Sequence, residues 1–531
     1  MANMLKKLAV VGRVAARVAL RWTSNDDVTK DLLPDELDST GGTKQFFIEL
    51  QSKARAGDAQ SMFFLAMDYR PGGDLRTDLV KAAKWMGKAA QLGDAVAQAI
   101  FAYMFWAGEG VPQSYTEAVR WYHASALQGN STAAHELALL YDAGRGIQQD
   151  HKQAAYWNVK AALAGNAAAQ NALGFRLMRG EGIEKDDHAA MWWFEKAAEQ
   201  GDAEAQYNLG AIYGNGKEVP ENQTEAARLF LKAAEQGHAK AQFAIGKSYC
   251  YGRGVSKDAE KGIGWLKKAG DQGNADAQAL LGACYATGAG IPKDLAQAFV
   301  WFQKAAAQGH AAAQYELGLM SSKGQGVPQD YEKAVVWFRK AAEQGYSVAQ
   351  LHLGASYADG KGVPMDKAQA AAWIRKAAEQ DNSEAQWVLG SLYSNGQGLQ
   401  MDDAQAAIWV RKAAEQGHAE AQAFFGFLSY KGKGVPQSHP DAAAWARKAA
   451  EQGLALAQGF LGELYEKGEG VTQSYADAYF WLELSAKGLD GAHLKEALKS
   501  RDRVAERLNS AALSKVRKRA AKWRIEHPAQ P

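Results

Sequence analysis

Apolar and small residues return along this chain with a period of 36. Written in rows that start at Gly57, the sequence stays in register for twelve rows, to residue 488, without an insertion or deletion. The ninth position of every row is aliphatic or Phe (Leu65, Phe101, Leu209, Leu389, Leu461 among them), the tenth is Gly or Ala, and the thirteenth is usually Tyr. Positions 5, 9 and 13 have the three-to-four spacing of one helix face, so each row predicts a first helix, A. The small residue at position 10 admits a neighbouring backbone.

Gly at position 16 is present in all twelve rows and is usually followed by a second Gly, an aliphatic residue and often Pro, as in GKGVP at 360–364. Gly accepts positive φ and Pro cannot continue a helix, so the segment predicts a helix stop and turn. Its place after a helix and its recurrence in every row argue against a phosphate cradle. Position 22 is Asp, Asn or Ser in every row, the residues that accept from the free amides of a first helical turn, and it starts a second helix, B. Trp occupies position 29 in eleven rows, with Leu229 the exception, and helical spacing predicts its burial against positions 26 and 33. Lys at 32 and Glu at 35, as in Lys232 and Glu235, read as a solvated pair.

Each row is therefore an antiparallel helix hairpin that cannot bury both faces alone, and the fold class is all-α, a superhelical solenoid of twelve hairpins. Residues 1–25 form a separate basic segment and residues 26–56 a linker with an N-terminal capping helix starting near Lys44. The repeats fill 57–488, and residues 489–531 form a basic cap of two helices, the second starting near Ser510.

Charge changes the picture at the ends. Residues 1–25 carry Lys6, Lys7, Arg13, Arg17 and Arg21 with no acid, and residues 495–531 carry eleven Lys or Arg against four acids. Subtracting five and seven from the net +2 leaves −10 for the body, which disfavours nucleic acid as its ligand. Residues 5–22 place Leu5, Leu8, Val11, Ala15, Val18, Ala19 and Trp22 on one helical face and Lys6, Arg13, Arg17 and Arg21 on the other. That pattern fits a membrane-surface or partner-docking helix, an organelle presequence or an ordinary capping helix. Its longest charge-free run, 8–12, is too short for a secretory signal, and no apolar stretch spans a bilayer.

Chemistry has little footing. Only Cys250 and Cys284 are present, with no paired spacing for metal, and they read as small core residues. The histidines are scattered, those at position 2 (His238, His310, His418) lie in turns between rows, and neither His-x-x-x-His nor a nucleophile elbow occurs. The expectation is a protein with no enzymatic activity, no metal and no cofactor.

The run AAAQYELGLMSSKGQGVPQDYEKAVVWFRKAAEQG at 311–345 carries the pattern in full, and it closely resembles the Sel-like repeat, a relative of the tetratricopeptide repeat. The resemblance implies an adaptor that holds protein or peptide partners, with helix A lining the concave side. Likeness to bacterial members implies the bacterial cytoplasm, with a membrane-peripheral or, for a cleaved presequence, a mitochondrial location as alternatives. On that orientation, positions 7, 8 and 11 point into the groove, and they vary from row to row as a binding surface would. Candidate partner-binding residues are Phe63, Tyr103, Phe175, Tyr207, Phe243, Tyr315, Trp387 and Phe427. The alternative is that several of them pack on the next helix A. A second reading makes the basic ends functional: the arm at 5–22, with Lys6, Lys7, Arg13, Arg17 and Arg21 as membrane- or partner-docking residues, and the tail at 515–524 tether the solenoid to an anionic membrane or nucleic acid as an assembly factor.

Overall fold

A computed structural model describes residues 41–73, 75–216 and 220–527. Among the described residues there are 27 α-helices and no strand. Helix Gly41–Ala54 precedes the repeats. Each row then gives a helix A and a helix B, as in Ala311–Lys323 and Tyr331–Glu343, and helices Gly491–Ala505 and Ser510–Glu526 follow. The described residues group into two compact units divided between Trp265 and Leu266.

Position 22 caps helix B in every copy. Its side chain accepts from a first-turn amide, from Asp78 with Lys81 through Asp330 with Lys333 (2.9 Å) to Ser474 with Asp477. After the first copy, whose helix A ends at Asp68 with Tyr69 as its cap, Gly at position 16 ends helix A in the left-handed region, as at Gly324 with φ 67°. The second glycine of the turn has a different reason. A Cβ on Gly362 would lie 2.1 Å from the carbonyl oxygen of Tyr331, the first residue of the preceding helix B, so two backbones touch there. Asp381, which replaces the Gly that opens the other rows, still adopts φ 59°, and its carboxylate accepts from Gln386 Nε2 at 3.2 Å.

Within a hairpin, position 30 of helix B packs into the gap left by position 10 of helix A. A Cβ on Gly318 would meet the Phe338 ring at 2.5 Å, and one on Gly210 would meet Phe230 at 2.8 Å. The apolar positions 9 are buried in every copy but the second, where Phe101 is half-buried, and Leu65, Leu281, Leu317, Leu353, Leu389 and Leu461 are completely so.

Buried glutamines join one hairpin to the next. Gln314 Nε2 donates to the carbonyl of Ala306 in the preceding copy (3.2 Å), while its Oε1 accepts from Gln344 Nε2 at the end of its own helix B (2.7 Å). The same pair of bonds forms at Gln98, Gln170 and Gln206 in the first unit and at Gln278, Gln350, Gln386 and Gln422 in the second. Where position 6 is not Gln, position 36 is not either: the first copy has Met62 and Leu92, the third Ala134 and Ala164. The last copy has Gln458 at position 6 and Gly488 at position 36, and Gln458 Nε2 there still donates to the carbonyl of Ala450 (3.1 Å).

Two expectations need correction. Trp85, Trp157, Trp301 and Trp481 are buried, but Trp337, Trp373, Trp409 and Trp445 are half-buried. Their outer faces are covered by Lys at position 32: Lys304, Lys340, Lys376, Lys412 and Lys448 hold their ammonium groups 3.8 to 4.5 Å from the ring centroids of the tryptophans three residues before them. The solvated Lys–Glu pair forms at Lys196 and Glu199 (2.7 Å), whereas in those five copies the lysine lies over the ring. An indole face attracts a cation and gains cover from its methylenes, which outweighs an exposed ion pair.

Candidate helix-A interaction face

The helix-A face is built by successive copies of one helix. Its first turn is fixed by position 2, whose side chain accepts from the amide three residues on in ten copies. The histidines are used here. His238, His310 and His418 accept at Nδ1 from the amides of Ala241, Ala313 and Ala421, and their Nε2 atoms face Glu204 (2.8 Å), Asp276 (3.4 Å) and Glu384 (2.9 Å) of the preceding copies. These carboxylates fix the tautomer in which Nε2 carries the proton. Tyr346 and Leu454, at the same position, form no side-chain cap.

The eight candidate rings divide between the units. In the first, Phe63 is half-buried against Phe64 (5.2 Å between centroids), and Tyr103 is stacked on Trp106 (5.7 Å) with the Arg70 guanidinium 5.9 Å away. Phe175 packs on Phe194 (5.0 Å), Tyr207 lies between Phe230 (5.8 Å) and His238 (5.1 Å), and Phe243 lies under the Lys247 ammonium (5.3 Å). In the second, Tyr315 contacts Phe338 (5.9 Å), Tyr346 (5.5 Å) and His352 (5.2 Å). Trp387 meets His418 (6.1 Å) and Phe424 (5.4 Å), and Phe424 stacks with Phe427 (6.4 Å).

Position 7 therefore does two things. One side of its ring rests on position 30 of its own hairpin or on the next copy, and the remainder faces outward, which leaves Tyr207, Phe243, Tyr315 and Trp387 half-buried. Phe427, at position 11, is 41% exposed, and with Trp387 and Phe424 it makes a connected aromatic row across two copies. The structure brings those three together and gives Tyr315 its own aromatic surroundings.

Polar substitutions on this face were not singled out from sequence, although the rows contain the signal. Position 30 is apolar or aromatic in every copy but the third, where Asn158 is 1% exposed; its Oδ1 meets His135 Nδ1 at 3.0 Å and its Nδ2 has no partner. Asn208 Nδ2 donates to Asn171 Oδ1 at 3.2 Å in the next copies along. Glu136 and Glu316, at position 8, have carboxyls pushed above the usual carboxylate range by burial, against the opposing charges of His135 and Lys323.

Lys6, Lys7, Arg13, Arg17 and Arg21 lie outside the described residues. Much of the basic C-terminal segment fastens the cap to the last repeats: Arg503 pairs with Glu466 (2.7 Å), Arg501 with Glu483 (3.2 Å) and Arg519 with Asp477 (2.6 Å), and Arg517 donates to the Tyr479 hydroxyl (3.0 Å). Among the described residues no group of three His, Cys, Asp or Glu could hold a metal ion, and no helix is long and apolar enough to cross a membrane. Both cysteines are free thiols, Cys284 buried and Cys250 half-buried.

The Sel1 repeat model matches twelve consecutive segments, from residues 59–94 to 455–488. This chain belongs to the Sel1 repeat family. The matched segments begin at the first residue of helix A and so divide the Sel1 repeats where the structure does. The chain is similar to c5321, described as a protective antigen of uropathogenic Escherichia coli strains displaying an SLR fold. Identity is 33%, the match covers 84% of this chain and 95% of that one, and the TM-score is 0.69. It is also similar to a Sel1 repeat protein from Oxalobacter formigenes, at 35% identity over 61% of this chain and 92% of that one, with a TM-score of 0.46. No curated protein matches. Sel1 repeats form a scaffold fold typical of protein–protein interaction, in a family that is generally non-enzymatic.

Proposed function

We propose that this Sel1 repeat protein is a non-enzymatic adaptor that holds a segment of a protein partner along its helix-A face. The observation that supports this most is the row Trp387–Phe424–Phe427. The scaffold has no packing use for an aromatic ring at position 11 with 41% of its surface in water, whereas rigid rings of this kind dominate protein interfaces.

The test is retention of partners from a lysate by the intact chain, by Phe427→Ala and by Val336→Ala. Val336 is 53% exposed but sits on helix B, so the second variant removes comparable apolar surface elsewhere. Partners lost from Phe427→Ala and kept by Val336→Ala support the reading; the reverse pattern refutes it.

A further inference from the structure

On the helix-A face, position 8 of one copy lies against position 7 of the copy before. Asn208 reaches Asn171 at 3.2 Å, the rings of His352 and Tyr315 are 5.2 Å apart, and those of Phe424 and Trp387 are 5.4 Å apart. The same offset sets Glu136 opposite Ala99 and Glu316 opposite Ala279. Alanine there is shorter than the His135, Asn171, Tyr207, Phe243, Tyr315 or Trp387 side chain that other copies place at position 7, and the residue opposite it is a glutamate. Position 8 is acidic in no other copy.

Both glutamates are half-buried and neither has a hydrogen-bond or ion-pair partner among the described residues. An unpaired, partly desolvated carboxylate costs free energy, and the cost is recovered when a cation arrives. Each has tyrosines beside it. Burial, and after it the charge of Glu136, raises the pKa of Tyr122; burial, and after it the charge of Glu316, raises those of Tyr315 and Tyr346 and pushes Tyr315 up to about 12. Tyr346 is itself a departure. It takes the place of a capping side chain and leaves its helix Ser347–Asp359 without one, while its ring stands 5.5 Å from Tyr315. The ring thus replaces a cap by an aromatic contact next to Glu316.

We propose that Glu136 and Glu316 mark two notches in the helix-A face, one in each unit, and that each takes the cationic side chain of an arginine or lysine from a protein partner. At Glu316 the carboxylate takes the cation by a charge-assisted hydrogen bond and the half-buried rings of Tyr315 and Tyr346 offer a face to it, while at Glu136, where Tyr122 is buried, the carboxylate carries the contact. The net −10 of residues 26–494 favours a basic segment over an acidic one. The inference rests on the helix-A face being the partner surface, and it adds the chemistry of what binds there.

The test uses the full chain and two pairs of capped alanine-based pentapeptides, one with a central arginine and its citrulline counterpart, the other with lysine and acetyl-lysine. Titration followed by ligand-observed NMR should show the cationic peptides binding at two sites and the neutral isosteres failing to bind. Glu136→Gln and Glu316→Gln should each remove one site, and together both, with helicity by circular dichroism unchanged. Tyr346→Asn, which restores a capping side chain, should weaken the Glu316 site about tenfold. Equal binding of citrulline, or arginine binding that survives the double glutamine variant, would overturn the proposal. The two readings fail separately. If partner retention depends on Phe427 while arginine binding ignores the glutamates, the notches fall and the face stands. If the glutamates control arginine binding while retention ignores Phe427, the notches stand and the aromatic row is packing.

Discussion

Gln344 Nε2 donates to Gln314 Oε1 at 2.7 Å, across 30 residues of chain, while Gln314 Nε2 holds the carbonyl of Ala306 in the copy before. One buried side chain thus ties its own helix B to the end of the preceding one.

That geometry predicts strong coupling. Gln314→Met alone removes one donor from the Ala306 carbonyl, which keeps the Gly309 amide, and one acceptor from Gln344 Nε2, which keeps the Lys340 carbonyl, and should cost about 1 to 2 kcal/mol. Gln314→Met with Gln344→Leu, the combination that the first copy has at Met62 and Leu92, should cost less than the sum of the single changes by about 1 kcal/mol. A double-mutant cycle on urea unfolding of the full chain reads this directly, and simple additivity would contradict it.

Lys448 lies 3.8 Å from the centroid of Trp445, itself half-buried. Lys448→Met keeps the stem and removes the charge, and should destabilise by about 0.5 to 1 kcal/mol, with a change in tryptophan emission. Lys196 pairs with Glu199 in water (2.7 Å), so Lys196→Met should cost less.

Helices Ser347–Asp359 and Ala455–Lys467 begin without a side-chain cap, at Tyr346 and Leu454. Tyr346→Asn and Leu454→Asn should each supply the missing acceptor, worth about 1 kcal/mol before the loss of apolar packing, and raise the local melting temperature. In Tyr346→Asn that gain is expected together with weaker cation binding; a destabilised Tyr346→Asn would show that ring packing outweighs the cap.

Two kinds of carboxylate should give stability opposite slopes with pH. The Arg503 guanidinium beside Glu466 holds that carboxyl below its usual range, so the folded state binds its proton less tightly than the unfolded chain does. Its contribution is present above the ordinary carboxylate pKa and is lost as pH falls through the depressed one. Burial raises Glu136 and Glu316, so the folded state holds their protons more tightly. Their contribution is full below the ordinary pKa and disappears as pH rises through the raised one. Arg503→Gln should flatten the acid side of the stability profile, while Glu316→Gln should reduce the fall on raising the pH toward neutrality; unfolding midpoints from pH 3 to pH 7 check both.

The scaffold was legible because twelve rows act as their own alignment. Position 22 must accept from an amide, position 16 must take positive φ and position 9 must be apolar in each row, so every copy repeats the same physical demand. What could not be read were relations between copies. That Lys448 covers Trp445, or that Gln314 serves two helices, depends on which faces meet, and the period alone leaves Lys as a surface residue and Gln as a polar one. The candidate surface was half legible. Variation at positions 7 and 11 marked Tyr315, Trp387 and Phe427, but only the packing separates Phe427, exposed, from Tyr315, half-buried against Phe338 and His352. Glu136 and Glu316 passed unnoticed because an acid on a polar helix face is ordinary until its burial and its missing partner are known.

Photo-cross-linking tests the central claim most directly. A benzophenone amino acid is placed at Phe427, on the helix-A face, or at Val336, on helix B, in the intact chain, and is irradiated with a captured partner bound. Adducts from position 427 and none from 336 are what a partner held on the helix-A face requires. Adducts from 336 with none from 427 would put the partner on helix B and contradict the account.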